Sequence, residues 1–422
     1  MQGKYSKVYK ILGLIMLAGL LAFIYQLSKG LIVTHMRNSF SWGLYIATWA
    51  FFVGTAAGGL VVSSSIYLFK VEALKPVARL ATITAFVFAI AAMTILLPDV
   101  GRPDRLYNVF IHPNFKSLLP WDFLVLSSYS LVSMIYAYIL MKPEIYKFGV
   151  NIPLLGLKGK RNITEDEYKK LKEESFIKAK KLAPLALPLA ILIHTVTAWV
   201  LATQAARPWW YGGLLAPTFI ATAISTGPAI VILFSLWVLG VNERLLPAYR
   251  VLAKISALSS IILLFMYYNE FFIRFWWHHG EDYEALKLLF TKYLHLHVIE
   301  VFFILLSAYL FFRYPDVPKK LVQGGISLII GVFAHRFLLL PSAYNIIPFR
   351  VPVIERYGSE EWSYPIAHGE VIGNLLKPGK VFVDYWNYYP SIIEILITAG
   401  VMAAVVFVIL KLSEILPVEE KA

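Results

Sequence analysis

Ten apolar runs, each long enough to cross a bilayer, constrain this chain more than any other feature of its 422 residues. A hydrocarbon core requires about 20 apolar residues in a helix, and a spanning segment must satisfy its own backbone hydrogen bonds. No strand-like alternation competes, and only 15% of the residues are charged, well below the share in soluble domains. We therefore predict an all-α polytopic membrane protein, with spans near 10–28, 43–69, 80–98, 120–141, 182–205, 212–240, 253–276, 289–312, 321–340 and 390–411.

The second and sixth runs resemble each other, which indicates an internal duplication. Each begins with Trp and Tyr and carries small residues in its second half, as in WGLYIATWAFFVGTAAGGLVV and WWYGGLLAPTFIATAISTGPAIVI. We predict two four-helix bundles, spans 2–5 and 6–9, in the same orientation and flanked by spans 1 and 10. Close helix packing is the role we assign to the small residues Gly54, Ala56, Ala57, Gly58 and Gly59.

The predicted spans divide the chain into five segments. The first span and its loop occupy 1–42, and the two bundles occupy 43–205 and 206–340. A long loop occupies 341–389, and the last span with a short tail occupies 390–422. The first run follows lysines, as a signal peptide does. Because the stretch YQLSKG offers no small-residue cleavage site, we treat this run as a helix.

The distribution of positive charge sets the predicted orientation. Of the 39 lysines and arginines, 25 fall in segments on the N-terminal side of the membrane, and 142–181 alone carries 11. The positive-inside rule therefore places both termini in the cytoplasm, with the protein in the cytoplasmic membrane. Within 142–181, Thr164 followed by acidic residues predicts the N-cap of a short surface helix. The net charge of +13 thus reflects topology, and we expect no nucleic-acid partner.

Ionisable side chains concentrate at mid-depth and toward the predicted outer ends of the spans, whereas the inner ends show no comparable charge. Charged groups within a bilayer are costly, and they usually face a bundle interior or mark a pathway. Snorkelling at helix ends does not explain Glu270, Glu300 or His194, because each has apolar sequence toward the membrane. The full set is Asp99, Asp122, His194, Glu270, Arg274, Lys292, His295, His297, Glu300, His335 and Arg336.

Four stretches resemble the NrfD/PsrC family of integral membrane subunits, which serve polysulfide reductase, nitrite reductase, hydrogenase-linked and alternative complex III assemblies. They are FFVGTAAGG, LLPDVGRPDRLYNVFIHPNFKSLLPWDF, LPLAILIHTVTAWV and ARPWWYGGLLAPTFIATAISTGPAIVIL, within a similarity over about 40–340. The Asp-x-Gly-Arg-Pro turn is the most specific motif. Span 5 and YLHLHVIEVFF most resemble the DsrP-type subunit of dissimilatory sulfite-reduction complexes. Many members have Ser-Pro-x-Ser-Trp-Gly where this chain has SLLPWDF, so Asp122 replaces a small residue.

The resemblance implies a quinone site of the menaquinone type at the outer face. It implies an iron–sulfur partner of the ferredoxin type that docks from outside, with further membrane and cytochrome subunits in one respiratory complex. The chain contains no cysteine, so it cannot bind an iron–sulfur cluster through thiolates. We expect neither haem nor a metal site in this chain, and proton translocation stays open.

Three residues of the first bundle are the candidates for proton exchange with a quinone. We assign this role to Asp122 and His194, with Asp99 as a further candidate, because a histidine or a partly buried carboxyl exchanges protons near neutral pH. Asp99 and Arg102 are three residues apart, and we predict that they pair as a clamp. This clamp would shape the turn and place polar groups, Arg102 among them, at the mouth of the pocket.

Aromatic residues near the same end are candidates for holding the quinone ring. Tyr45 is the predicted hydroxyl donor, and Trp42 and Trp121 are predicted to flank the ring. Both tryptophans fit equally well in the aromatic belt that marks a membrane interface.

The second bundle repeats the polar layer with Glu270, His297, Glu300 and Arg336. His297 and Glu300 are three residues apart and share a helix face. We interpret the set as a proton or water conduit, with a second quinone site as the alternative. If this conduit continues toward the inner side of the membrane, it has to use hydroxyl groups and water. The candidate hydroxyl groups are those of Thr218, Thr222, Ser225 and Thr226.

Two other classes of function compete with the quinone hypothesis. A haem b cytochrome would need paired histidines on facing helices, and only His295 or His297 with His335 offers such a pair. An ion or proton transporter would use the two bundles as repeats around a central site. The outer-only polarity argues against alternating access.

The loop 341–389 is too long for a simple connection. Its Tyr, Trp, Ile and Val content is unlike that of a disordered segment, so we predict that it folds. Because aromatic, partly apolar surface suits a protein interface, we expect it to form part of the docking surface for the iron–sulfur partner. The alternative is an ordered cap on its own helices.

Overall fold

The computed structural model describes residues 5–37, 40–150, 163–204, 207, 209–278, 280–344, 346–348, 350–352, 361–363, 382–384 and 388–419. Its helices are α1 (Ser6–Lys29), α2 (Leu44–Leu68), α3 (Ala78–Leu96), α4 (Asn108–Ile111), α5 (Leu118–Phe148), α6 (Glu165–Ala202), α7 (Leu215–Val238), α8 (Leu246–Trp277), α9 (Gly280–Thr291), α10 (Leu294–Arg313), α11 (Pro318–Tyr344) and α12 (Ile392–Ile415). Within these ranges ten helices, all except α4 and α9, are long and apolar enough to cross a membrane. The prediction of an all-α polytopic membrane protein is confirmed.

The helices form the two predicted bundles. α2, α3, α5 and α6 contact one another in a closed ring, and α7, α8, α10 and α11 form a second ring. The flanking helices α1 and α12 pack against each other, and α12 also contacts α3, so both lie on one side of the first bundle.

The bundles meet where α2 crosses α7, at two glycines. A Cβ atom added to Gly58 would lie 2.1 Å from the Cα of Gly227, and one added to Gly227 would lie 2.2 Å from the Cα of Gly58. Only residues without a side chain allow backbones to approach so closely. Gly59 packs in the same way against the Ala81 carbonyl of α3. The packing role assigned to these glycines therefore holds, and it falls on the two helices predicted to be repeats.

One helix boundary differs from the prediction. The capping box at Thr164 is present, since Thr164 accepts a bond from the Glu167 backbone and the Glu167 carboxylate accepts one from Thr164. The expected short surface helix does not end, however, and continues as α6 for 38 residues to Ala202. Pro184 and Pro188 lie inside this helix without ending it, as membrane helices tolerate.

We call the end of the bundles at which α3 stops the Asp99 end, and the opposite end the Arg79 end. The Arg79 end carries a buried ion pair, because an Arg79 guanidinium nitrogen lies 2.6 Å from the Glu144 carboxylate. The Tyr168 hydroxyl donates to the same oxygen at 3.2 Å, so α3, α5 and α6 are joined. The expectation that this end lacks buried charge is wrong. Both charged residues lie within helices that extend beyond the predicted spans.

Four short strands lie between α11 and α12, namely β1 (Ile346–Pro348), β2 (Arg350–Pro352), β3 (Glu361–Ser363) and β4 (Phe382–Asp384). They form two antiparallel pairs, β1 with β4 and β2 with β3. Most of the loop 341–389 lies outside the described residues, and so does the central part of 142–181.

Candidate functional site

A chain of hydrogen bonds joins three elements directly beside Asp99. The Tyr45 hydroxyl of α2 donates to the Gln26 side-chain oxygen of α1 at 2.6 Å. The Gln26 amide nitrogen in turn donates to the Pro98 carbonyl at 2.6 Å. The predicted hydroxyl donor Tyr45 is thus held, fully buried, next to the turn that follows α3.

Asp99 itself has a carboxyl oxygen, Oδ1, that is buried without a hydrogen-bond partner in the described part of the protein. Burial, with a smaller contribution from the nearby Glu394 carboxylate, raises the pKa of Asp99 to about 7. A carboxyl with this pKa exchanges its proton near neutral pH.

The predicted clamp between Asp99 and Arg102 is wrong. The Arg102 guanidinium instead forms two bonds with Asp104, of 2.9 and 2.8 Å, and both side chains are exposed. Asp104 lies in the single-turn helix Pro103–Arg105, which places its carboxylate where the planar guanidinium reaches both oxygens. This bond lowers the pKa of Asp104.

An apolar groove of about 570 Å³ runs between α1, α3 and α12 and ends at the Asp99 turn. Its walls at that end are Leu97 and Pro98, and its length is lined by aliphatic and aromatic side chains such as Phe23 and Ile90. Gly19 and Gly400 lie in the wall where α1 and α12 meet, since a Cβ added to Gly19 would lie 2.8 Å from the Gly400 Cα. This volume lies in the range of small-molecule sites.

Glu394, which the sequence analysis missed, is a fully buried carboxylate near this groove. It caps α12, because its carboxylate accepts from the Ser391 backbone at 2.9 Å and the Ser391 hydroxyl accepts from the Glu394 backbone at 3.2 Å. It also accepts from the Tyr388 hydroxyl and from the His35 backbone. The pattern Ser-x-x-Glu before an apolar run is a capping-box signature that would have identified it.

Asp122 and His194 lie in a different part of the first bundle. The Thr197 hydroxyl of α6 donates to the buried Asp122 carboxyl of α5 at 2.5 Å. His194 is three residues before Thr197 on α6, and neither of its buried ring nitrogens has a hydrogen-bond partner among the described residues. Among those residues, no described hydrogen bond or ion pair joins Asp99 to Asp122 or His194. The structure therefore connects Tyr45 through Gln26 to the Asp99 turn, and no such connection reaches Asp122 or His194 in the part of the chain that it describes.

Arg336 connects the two bundles. It is buried on α11, and its guanidinium donates to the Thr222 hydroxyl of α7 and lies 3.6 Å from the centre of the Phe219 ring. A Cβ added to Gly54 of α2 would lie 3.7 Å from it, and its charge also acts on His194. Two of its nitrogens, Nε and Nη1, have no partner within the described ranges.

Glu300 holds two histidines of the second bundle. One carboxylate oxygen lies 2.9 Å from His297 Nδ1 and the other 2.6 Å from His335 Nδ1, with all three side chains buried. The Tyr268 hydroxyl lies 3.1 Å from the second ring nitrogen of His297. The result is a continuous network, Tyr268–His297–Glu300–His335, which joins α8, α10 and α11.

Glu270 does not belong to this network. Its carboxylate lies 3.0 Å from Arg274, which also bonds Asp282 at 2.9 Å and packs over the Trp209 ring at 4.8 Å. The continuation through hydroxyl groups of α7 stays a prediction. Each hydroxyl donates to a carbonyl of its own helix, a local bond typical of Ser and Thr in helices: Thr218, Thr222, Ser225 and Thr226.

The predicted tryptophan wall is divided between two environments. Trp42 stacks on Trp210 with ring centres 5.5 Å apart, so the first aromatic residues of the two repeats meet between the bundles. Trp121 is 45% exposed, and its indole nitrogen donates to the Phe115 carbonyl at 3.0 Å. Its position fits the interfacial belt rather than a pocket wall.

These bundles and their buried polar layer define a polytopic membrane protein of two linked four-helix units. Residues 32–348 match the family described as "Polysulphide reductase, NrfD". Since the match covers most of the chain, the protein belongs to the NrfD family, and the resemblance noted in the sequence is confirmed.

Three curated relatives extend the comparison. The chain is 35% identical over 226 residues to a dimethyl sulfoxide reductase membrane protein of Halobacterium salinarum, covering 54% of this chain and 50% of the relative. It is 23% identical over 348 residues to a selenate reductase subunit of Mesobacillus selenatarsenatis, covering 80% and 82%. It is 24% identical over 224 residues to the Hdr-like menaquinol oxidoreductase integral membrane subunit of Archaeoglobus fulgidus, covering 53% and 48%. The chain thus spans about half the length of the first and third relatives.

Proposed function

We propose that this protein is the quinone-interacting membrane subunit of a respiratory electron-transfer complex. It exchanges electrons between a menaquinol-type quinone and an iron–sulfur subunit that docks at the Asp99 end. The observation that carries the proposal is the buried, unpartnered Oδ1 atom of Asp99, which directly follows Leu97 and Pro98 at the end of an apolar groove. The menaquinol oxidoreductase relative supports the choice of ligand class.

The groove supplies what an isoprenoid quinone needs. Its apolar length between α1, α3 and α12 accommodates the tail, and the Asp99 turn receives the headgroup. With a pKa near 7, Asp99 accepts a proton from a quinol hydroxyl or returns one to a quinone oxygen. Tyr45 is fixed by its bond to Gln26 and orients that amide beside the same turn.

Asp122 and His194 move protons at a greater distance from the headgroup in this proposal. Both are buried, and the ring nitrogens of His194, which have no hydrogen-bond partner among the described residues, are available to a water molecule. In the second bundle, the buried polar layer contains Arg336 and the hydrogen-bonded pair of His335 and Glu300. This polar layer is the candidate route for proton translocation, and Glu270 belongs to an ion pair beside it rather than to the route.

The positive-inside rule supports an orientation with both termini in the cytoplasm and the Asp99 end outside. The iron–sulfur partner then docks from outside, and the loop 341–389 is the part of this chain that we propose for its docking surface. Cross-linking of the purified complex tests this arrangement. Contacts of the iron–sulfur subunit with 341–389 support it, whereas contacts only with 142–181 would reverse it.

The haem alternative finds less support at the histidines it would require. Both ring nitrogens of His297 are engaged, one by Glu300 and one by Tyr268, and His335 directs Nδ1 to the same carboxylate. An absorption spectrum of the reduced, purified chain provides the check. A haem b α-band would overturn the assignment.

The proposed function is tested by Asp99→Asn in the assembled complex. Because Asp99 has no hydrogen-bond partner at Oδ1, assembly should persist, while menaquinol-driven reduction of the partner falls about a hundredfold, the usual loss of a proton-transfer group. Asp104→Asn is the matched control, since this aspartate lies on the same turn but pairs with Arg102 in solvent. Equal turnover in Asp99→Asn and Asp104→Asn would sink the proposal.

A second pair of variants tests the groove. Ala404→Phe places a ring among the residues that line it, whereas Ile395→Phe places the same ring at an exposed position of the same helix. We expect Ala404→Phe to raise the KM for menaquinol and Ile395→Phe to leave it unchanged. An unchanged KM in Ala404→Phe with a raised KM in Ile395→Phe would mean that the quinone does not bind in this groove.

A further inference from the structure

A second cavity lies on the other bundle, between α8 and α9, well separated in the fold from the groove of α1, α3 and α12. Its volume is about 570 Å³, equal to that of the groove. Aromatic rings dominate the lining: Tyr268, Phe271, Phe272, Phe275, Tyr283 and Phe290. The cavity opens at the surface between rings that are largely exposed, with Phe272 at 62% and Phe275 at 55%.

One residue that lines this cavity, Tyr268, connects to the buried network. The Tyr268 hydroxyl lies 3.1 Å from His297, which bonds Glu300 and through it His335. The Phe271 and Phe290 rings pack against the same imidazole, with ring centres 5.7 and 5.1 Å away. An aromatic residue of the cavity lining is therefore hydrogen-bonded to a buried set of titratable groups.

This combination selects a particular kind of ligand. Aromatic walls favour a flat ring over a flexible acyl chain, because offset and edge-to-face contacts add to the burial of apolar area. A phenol hydroxyl both donates and accepts, so Tyr268 can bond a ring oxygen as either a carbonyl or a hydroxyl. An acyl chain makes no use of that hydroxyl.

We propose that the α8–α9 cavity is a second binding site for a quinone-type ring, with a ring oxygen bonded to Tyr268. The choice of quinone among flat oxygen-bearing rings rests on the proposed function, but the site itself rests on the cavity and the network. The site is independent of Asp99, so the two sites can be tested separately.

The experiment measures how many molecules of a radiolabelled, short-tailed menaquinone bind per chain to the purified complex in lipid nanodiscs. Thr291→Trp fills the α8–α9 cavity from an exposed position in its lining, and Leu294→Trp places the same side chain at an exposed position outside the lining. We expect a second equivalent of label in the wild type that disappears in Thr291→Trp and persists in Leu294→Trp. Ala404→Phe should remove only the other equivalent.

Tyr268→Phe separates specific binding from general apolar filling. It keeps the ring and removes the hydroxyl, so the affinity of the second equivalent should fall about fivefold, as expected for one lost neutral hydrogen bond. An unchanged affinity, or displacement of the label by added phospholipid alone, would mean that the cavity holds lipid and would overturn the proposal. If the wild type binds only one equivalent of label, and Thr291→Trp does not change that number, the second site is also overturned. The Asp99 site would be unaffected by this result.

Discussion

The two bundles share one architecture but differ in how their buried carboxyl groups and histidines are bonded, although Arg336 of the second bundle also keeps two unpartnered nitrogens among the described residues. In the second bundle, Glu300 bonds two histidines, and one of these bonds Tyr268, so the polar atoms form a connected network. In the first bundle, Asp99 keeps one unpartnered oxygen and His194 two unpartnered nitrogens within the described residues. A buried polar atom without a partner costs about 1–3 kcal/mol. Such atoms persist where a ligand, a water molecule or a transferred proton supplies the missing hydrogen bond. We therefore assign proton exchange with the quinone to the first bundle.

The largest expected effect comes from breaking the network of the second bundle. Glu300→Leu leaves His297 and His335 without their shared acceptor and should lower the free energy of unfolding by about 3–5 kcal/mol. Asp122→Leu removes one bond to Thr197 and should cost about 1 kcal/mol. Thermal denaturation of the solubilised protein measures both, with Glu300→Gln as the shape-matched control. Equal losses of unfolding free energy in Glu300→Leu and Asp122→Leu would contradict the difference in bonding between the two bundles.

The next effect concerns activity in the first bundle. His194→Leu and Asp122→Leu should each reduce quinol-dependent reduction of the partner about a hundredfold, while the complex still assembles. His194→Leu should also leave the melting temperature unchanged or higher, because it removes two unpartnered nitrogens. His112→Leu, in the exposed loop at the same end, is the control and should change neither quantity. Full turnover in both test variants would exclude them from the mechanism.

A further effect is the pH dependence that Asp99 imposes on stability. Its pKa is about 7 in the folded protein against an ordinary value of 3.8. Between these values the folded state holds a proton that the unfolded state has released, so stability falls as the pH rises from about 4 to about 7. Melting temperatures of the wild type across this interval should decline, and those of Asp99→Asn should decline less. Parallel curves for the two proteins would show that Asp99 is not buried in this way.

The smallest effect compares two tryptophans of the two bundles. Trp210 is fully buried and its nitrogen donates to the Leu339 carbonyl at 2.7 Å, so Trp210→Phe should cost about 1 kcal/mol or more. Trp121 lies at the surface, and Trp121→Phe should change stability by less than about 0.5 kcal/mol and leave quinone affinity unchanged. A large loss of affinity in Trp121→Phe would return this residue to the pocket wall.

The sequence by itself determined the architecture of this protein. Ten apolar runs dictate ten spanning helices, because a bilayer leaves a helix as the only way for such a run to satisfy its backbone. The similarity of the second and sixth runs predicted the two bundles, and the glycines Gly58 and Gly227 join those two helices. The motifs also identified the NrfD family. These properties depend on composition and local order along the chain, which a sequence displays directly.

Only the tertiary structure decided which polar groups meet. Spacing along the chain suggested Asp99 with Arg102, yet Arg102 bonds Asp104, and Asp99 lies beside residues of α1, α2 and α12. Glu394 lies almost 300 residues from Asp99 in sequence, and nothing local connects the two. A helix can rotate about its axis and keep the same hydropathy, so its apolar pattern leaves the direction of each polar side chain open. Packing against neighbouring helices sets that direction.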